Sequence, residues 1–276
     1  MPRARQWMGE LLLHAPQPLR SLRDLPVLGS WIHRLSHRVL PLEEKVWARI
    51  ESGPAQGLWL ELNPRTGQNY LRGKAELTVQ NILAERLRPG MVFYDLGANI
   101  GLFTLLAARL VGDSGRVFSF EPDPENAARL RRNIQRNGFA NVTVVEKGIW
   151  SVTAKLNFVI SAADSPDHGI GKFAASENGG GTLTQCVALD DFTRDAAIPP
   201  PDALKCDVEG AEVEALRGGA ELFQSRRPWI VCEMHSDGNR RAATELLASF
   251  GYAVAALDSD HVLAVPASAT SPLGKK

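Results

Sequence analysis

Cysteine is scarce in this chain. Its 276 residues include three, Cys186, Cys206 and Cys232, far apart and outside any CxxC spacing. That excludes a disulfide framework and a cysteine zinc site. Cys206 and Cys232 fall in apolar, strand-like runs, so buried free thiols are expected, in a reducing cytoplasm. Net charge is also lacking, because 31 Lys and Arg face 31 Asp and Glu. A dedicated nucleic-acid binder would show a basic excess, so no nucleic-acid partner is expected. Long apolar runs are missing too. Pieces such as Leu105–Ala108 fall far short of the roughly 20 residues that a membrane span needs. Leu11–Leu13 is too brief for a secretory apolar core. What remains is 44% hydrophobic and 22% charged, an ordinary globular composition that excludes a disordered or collagen-like chain. The length suits one large domain, or one domain plus an arm.

The neutral sum hides an asymmetry. Residues 1–50 carry eight Lys and Arg against four acids, a charge of +4, which leaves −4 for the remainder. Pro16, Pro18, Pro26 and Pro41 cut this part into short pieces. Trp7, Leu11, Trp31, Ile32 and Leu35 can form apolar stripes on short helices. Residues 1–70 therefore read as a basic helical arm or cap packed on a main domain. A peripheral contact with an anionic membrane is the sharper alternative, because basic amphipathic pieces can lie on such surfaces.

From residue 75 a regular alternation begins. Ala75–Arg88 has helical spacing, and Pro89-Gly90 stops it. Met91–Leu96 is an apolar strand, Leu102–Val111 a buried helix, and Arg116–Glu121 the next strand. Asp123 caps a helix with Pro124 at its first position, which runs to Asn137-Gly138. Val142–Glu146 is a third strand. The rhythm resumes at Leu204–Val208, with a helix over Ala211–Phe223, a strand at Trp229–Met234 and a further helix. Tyr252–Leu257 and His261–Val265 read as a hairpin that makes the last strand antiparallel. This order predicts an α/β fold with a parallel sheet and helical crossovers. Residues 161–182 are rich in Ser, Ala, Asp and Gly and read as an inserted hairpin with a mobile tip. The tail 266–276 reads as disordered.

Four motifs carry chemistry. Asp95-Leu96-Gly97-Ala98-Asn99-Ile100-Gly101 joins a strand to a helix, at the sheet edge where ligands bind in such folds. Gly97 permits a tight turn and Gly101 close helix packing on the sheet. A dinucleotide fingerprint needs a middle glycine that presents amides to a pyrophosphate, and that glycine is absent. An acid with no phosphate cradle suits a ligand without phosphates, such as S-adenosylmethionine. Glu121, followed by Pro122, ends the next strand and can accept both ribose hydroxyls, since Asp123 already serves as the helix cap. Lys205-Cys206-Asp207-Val208-Glu209-Gly210-Ala211-Glu212 places three carboxylates after a strand. Glu209 and Glu212 gain from the helix N-terminus, which leaves Asp207 as the functional candidate. Cys232-Glu233-Met234-His235 puts Glu233 and His235 on one face.

Together with Gly73–Glu76 and Leu189-Asp190-Asp191-Phe192, these motifs resemble the FkbM family of S-adenosylmethionine-dependent methyltransferases, over about residues 70–235. The resemblance implies a Rossmann-like class I methyltransferase domain over 71–265, with a seven-stranded, mostly parallel sheet. It also implies O-methylation of a hydroxyl on a sugar, glycolipid or natural product. The chain departs from the family after the third strand, where Glu146-Lys147-Gly148-Ile149-Trp150 stands in place of a small residue pair.

In-line methyl transfer from a held donor is the expected chemistry. Asp95, Gly97, Ala98, Asn99, Gly101 and Asp207 would hold the amino-acid end of the cofactor. Glu121 and Pro122 would serve the ribose, and Gly148 would let adenine approach. A sugar hydroxyl is a poor nucleophile, so a base is expected: first His235, then Asp207, then His168 in the inserted loop. Asp207, Glu209 and His235 as a metal set rank below metal-free action. Two other classes compete, an oxidoreductase using another nucleotide and a non-catalytic binding domain.

Overall fold

The structure, a computed structural model, describes residues 45–161, 170–174, 182–195 and 197–267. Its centre is a seven-stranded sheet of β3 (Val92–Leu96), β4 (Arg116–Phe120), β5 (Val142–Val145), β10 (Ala203–Cys206), β11 (Trp229–Glu233), β12 (Tyr252–Ala256) and β13 (His261–Pro266), in the order β12-β13-β11-β10-β3-β4-β5. All are parallel except β13, which pairs antiparallel with both neighbours. This is the seven-stranded, mostly parallel sheet that the resemblance implies, with the antiparallel last strand read from the hairpin pattern. β13 slots between β11 and β12, and Pro266, assigned by sequence to the tail, is its last residue.

Alternate strand residues feed two cores, one on each face of the sheet. Phe93, Val117, Ala203, Val231 and Leu263 meet the helices Leu77–Arg86, Leu102–Val111 and Pro124–Asn137 on one face. Tyr94, Phe118, Leu204, Ile230 and Cys232 meet Glu212–Arg217, Ala220–Ser225 and Asp237–Ser249 on the other. Burial on both faces is why these strands read as continuous apolar runs. The three cysteines are free and buried. Among the described residues no helix is long and apolar enough to cross a membrane.

The sequence pattern predicted one helix over 211–223, and the structure has two. A Cβ at Gly218 would lie 2.2 Å from the Trp150 carbonyl oxygen, so the chain pinches there. Two glycines in succession also weaken a helix. Asp190 then accepts the backbone N–H groups of Glu221 and Leu222 and caps the second helix. The Leu189–Phe192 piece is thereby a structural device.

The insert is a separate four-stranded sheet, in which β6 (Gly148–Ile149), β7 (Ala154–Ser161), β8 (Ile170–Ala174) and β9 (Thr182–Val187) follow the order β6-β9-β7-β8. Part of the expected loop 161–182 is therefore strand β8, paired antiparallel with β7.

The described part of the N-terminal segment is an antiparallel hairpin of β1 (Val46–Arg49) and β2 (Trp59–Leu62). It docks on the helix Pro124–Asn137 through side chains four residues apart. Asn137 exchanges two hydrogen bonds with the backbone of Trp59. Asn133 accepts from Glu61 N at 2.8 Å and donates to Ile100 O at 2.8 Å. Arg129 donates to Glu61 O, and Arg136 lies over the rings of Trp47 and Trp59. One helix face thus satisfies the edge of β2, as a partner strand would.

Candidate active site

The order of strands reverses between β3 and β10, and the crevice beyond their carboxyl ends is the place for a ligand. Here the chain turns at Gly97, with φ of 79°. Gly97 N and Ala98 N both donate to Phe120 O, at 3.0 and 2.9 Å. A Cβ at Gly97 would lie 1.7 Å from Asp207 O, so the turns after β3 and β10 touch backbone to backbone. Gly101 makes room for a helix rather than for the sheet, since its Cβ would meet Leu130 Cδ1 at 2.3 Å.

Glu121 ties two turns together. Its Oε2 accepts Asn99 N at 2.7 Å and its Oε1 accepts Asp123 N at 2.9 Å. Asp123 in turn caps the next helix through Glu125 N and Asn126 N. Each Glu121 oxygen takes one backbone N–H and the Asn126 side chain adds a further hydrogen bond, so of the roughly four lone-pair sites of a carboxylate capacity for a ribose hydroxyl remains. Burial pushes its pKa up to about 7, against the pull of the two backbone N–H groups. Pro122 follows it, half-buried.

Asp95 does not reach the surface. Its Oδ2 accepts from Thr104 at 2.6 Å, and Oδ1 has no hydrogen-bond partner. Burial raises its pKa, opposed by Lys205 and Thr104. Lys205 is its register partner on β10, itself buried, 2.8 Å from Asp207 Oδ2 and 4.7 Å above the Phe103 ring. Burial alone would neutralise this lysine, but Asp207, Glu76 and Asp95 together hold it charged. Burial would raise the Asp207 carboxyl, yet Lys205 keeps it below the usual range. Asp207 Oδ1 is buried without a hydrogen-bond partner.

Carboxylates surround His235. Nδ1 lies 3.0 Å from Glu212 Oε1, and Nε2 lies 3.1 Å from Glu209, 3.7 Å from Asp207 and 3.8 Å from Glu233. Hydrogen bonds to Glu209 and Glu212 lift its pKa to about 11. Glu212 also accepts from Gly210 N at 2.9 Å, which places it among the structural groups.

A further cluster adjoins it. His261, at the start of β13, contacts Asp258, Glu76 and Glu233. Burial would lower the His261 pKa, but Glu76 and Asp258 raise it to about 9. Burial, then Asp207 and Glu76, raise Glu233 to about 7. Glu76, Asn99 and Glu209 are three of the four described non-glycine residues with positive φ. Such strain gathers at functional sites, and all three stand at this edge.

The model of the methyltransferase FkbM domain matches residues 95–258. This chain belongs to the FkbM methyltransferase family. It is 30% identical over 236 residues to the 31-O-demethyl-FK506 methyltransferase FkbM of Streptomyces tacrolimicus, covering 76% of this chain and 86% of that one. It is 29% identical over 177 residues to the hexuronic acid methyltransferase AglP of Haloferax volcanii, covering 64% and 69%. It is 26% identical over 219 residues to the 2-O-methyltransferase NoeI of Sinorhizobium fredii, covering 71% and 88%.

On this FkbM scaffold the structure brings Gly97, Ala98, Asn99, Glu121, Asp207 and His235 to one edge. Asp95 lies beneath them and Gly101 behind the turn. Gly148 is buried in β6, paired with Cys186. His168 lies outside the described residues. Sequence reasoning missed Lys205, Glu76 and His261. A lysine inside the apolar strand Ala203–Cys206 was a legible signal, because buried lysines need partners. Glu76 ends the Gly73–Glu76 motif, but nothing local joined it to His261, which the insertion of β13 beside β11 brings to this edge.

Proposed function

We propose that this FkbM methyltransferase moves a methyl group from S-adenosylmethionine to a hydroxyl of a sugar, glycolipid or natural product. The observation that carries the reading is the Asp95–Gly101 turn, closed on Glu121 at the carboxyl edge without the middle glycine of a pyrophosphate cradle. The residues fit the cofactor's chemistry. Glu121 retains acceptor capacity for the ribose, and Asp207 Oδ1, which makes no hydrogen bond and lies 3.7 Å from His235 Nε2, is an anionic oxygen that can accept from an ammonium or hydroxyl. Bound there, the cofactor would supply an electrophilic methyl group. The names of the FkbM, NoeI and AglP relatives support a complex alcohol or sugar acid as acceptor.

His235 is a positioning group in this reading. Both ring nitrogens face carboxylates, which only accept, so both nitrogens donate. That leaves no lone pair for a substrate proton. Asp207 Oδ1 takes the role of proton acceptor. An alcohol oxygen becomes far more acidic as it is methylated, so a carboxylate of low pKa suffices. Lys205 holds that carboxylate ionised and oriented.

The test supplies labelled S-adenosylmethionine with hexoses, hexuronic acids and macrocyclic alcohols. A base-stable methyl ether on a hydroxyl supports the reading. A base-labile methyl ester, or transfer to nitrogen alone, contradicts it.

A further inference from the structure

We infer that Glu76, Glu233 and His261 form a binding site for one divalent first-row transition-metal ion, beside the cofactor edge. Each of the three offers a ligand atom, and these atoms all lie within 4.8 Å of one another. The decisive observation is His261. Its side chain is 7% exposed, and Nε2 is buried with no hydrogen-bond partner. That nitrogen aims between two carboxylate oxygens, Glu76 Oε2 at 3.4 Å and Glu233 Oε2 at 3.8 Å. Glu76 Oε2 is itself buried without a hydrogen-bond partner.

The spacing suits a metal better than a hydrogen bond. Two ligands each about 2.1 Å from a tetrahedral ion stand roughly 3.4 Å apart. The other ring nitrogen is already fixed, since Nδ1 lies 2.9 Å from Asp258 Oδ1, and Asp258 Oδ1 also accepts His261 N. A carboxylate behind the far nitrogen orients the ring so that Nε2 is the nitrogen whose proton a metal ion displaces. Glu76 is held in the left-handed region, with φ of 43°, a strained backbone conformation of the kind that gathers at functional sites. The neighbouring set of Asp207, Glu233 and His235 lacks this feature, because both His235 nitrogens are taken by Glu209 and Glu212.

One imidazole and two carboxylates favour Zn²⁺ or Mn²⁺ over Ca²⁺ or Mg²⁺. Three protein ligands leave a position for water or a substrate oxygen. Use of the ion on an acceptor hydroxyl rests on the methyl-transfer reading above, whereas binding of the ion does not. Binding is measured without any substrate, so the two readings fail separately.

The full chain is stripped with a chelator and titrated by calorimetry with Zn²⁺ and, separately, with Mn²⁺. Melting temperature is followed with each ion, and circular dichroism checks the fold of every variant. The wild type takes up one equivalent of at least one ion and melts higher with it. Glu76→Gln and Asp258→Asn each weaken binding by about tenfold or more, while Asp207→Asn stays within about twofold of wild type. Glu76 is the chosen ligand variant because its side chain is 29% exposed and its loss leaves both cores intact. No saturable uptake of either ion by the stripped wild type overturns the inference. So does wild-type affinity in Glu76→Gln, or loss confined to Asp207→Asn.

Discussion

Gly97 rests against the backbone carbonyl of Asp207, so closely that a Cβ at Gly97 would sit 1.7 Å from that oxygen. The contact joins the turn after β3 to the turn after β10 across the strand-order reversal. It explains why a glycine stands there on packing grounds, independent of any ligand. Gly97→Ala should lose about 1–2 kcal/mol from the left-handed backbone alone, and more from the clash. Chemical denaturation measures the loss. The separation of the two turns should also weaken S-adenosylmethionine binding, read by thermal shift.

Lys205 is the counter-charge of the interior. It is 2% exposed and lies among Asp207, Asp95 and Glu76. Lys205→Met leaves Asp95 and Asp207 without their counter-charge, which costs about 3–5 kcal/mol for one broken pair. A urea midpoint unchanged from wild type would show that the pair is not a structural anchor.

The hairpin clamp gives a prediction remote from the edge. Asn133→Ala strands Glu61 N and Ile100 O, at about 1–3 kcal/mol for each unsatisfied buried group. Hydrogen exchange in 46–62 should accelerate in this variant, and the exchange of β10 and β11 should follow only through the global loss of stability.

Glu121 predicts a pH dependence. Burial raises its folded pKa from 4.5 to about 7, so the folded state holds its proton more tightly than the unfolded chain does. Its contribution to stability is then full below about pH 4.5 and is lost as the pH rises through about 7. Glu121→Gln cannot titrate, so wild type minus variant stability should fall across that window and flatten above it. Melts at a series of pH values give the difference. A difference that rises with pH would reverse the sign and refute the assignment.

The sequence made the central sheet legible because its strands are buried on both faces and its turns carry Gly, Pro and Asp. Met91–Leu96 and Pro124–Asn137 were readable for that reason, and so was the Asp123 cap. Other features depend on contacts distant in the chain. Asp190 caps a helix 31 residues ahead, and the Gly218-Gly219 break is set by Trp150. Periodicity carries neither fact. At the edge, the alternation of β11 placed Glu233 beside His235, but nothing local announced that β13 would insert next to β11 and bring His261 to Glu233. The bond from Asn99 N to Glu121 was hidden in the same way, because that amide belongs to a turn 22 residues earlier.

Calorimetric titration of the purified chain with S-adenosylmethionine tests the central claim most directly, with Glu121→Ala run in parallel. The predicted result is single-site binding by the wild type and at least about tenfold weaker binding by the variant, the loss expected for a charge-assisted pair of hydrogen bonds. Absence of binding to the wild type, or equal affinity in Glu121→Ala, would contradict it.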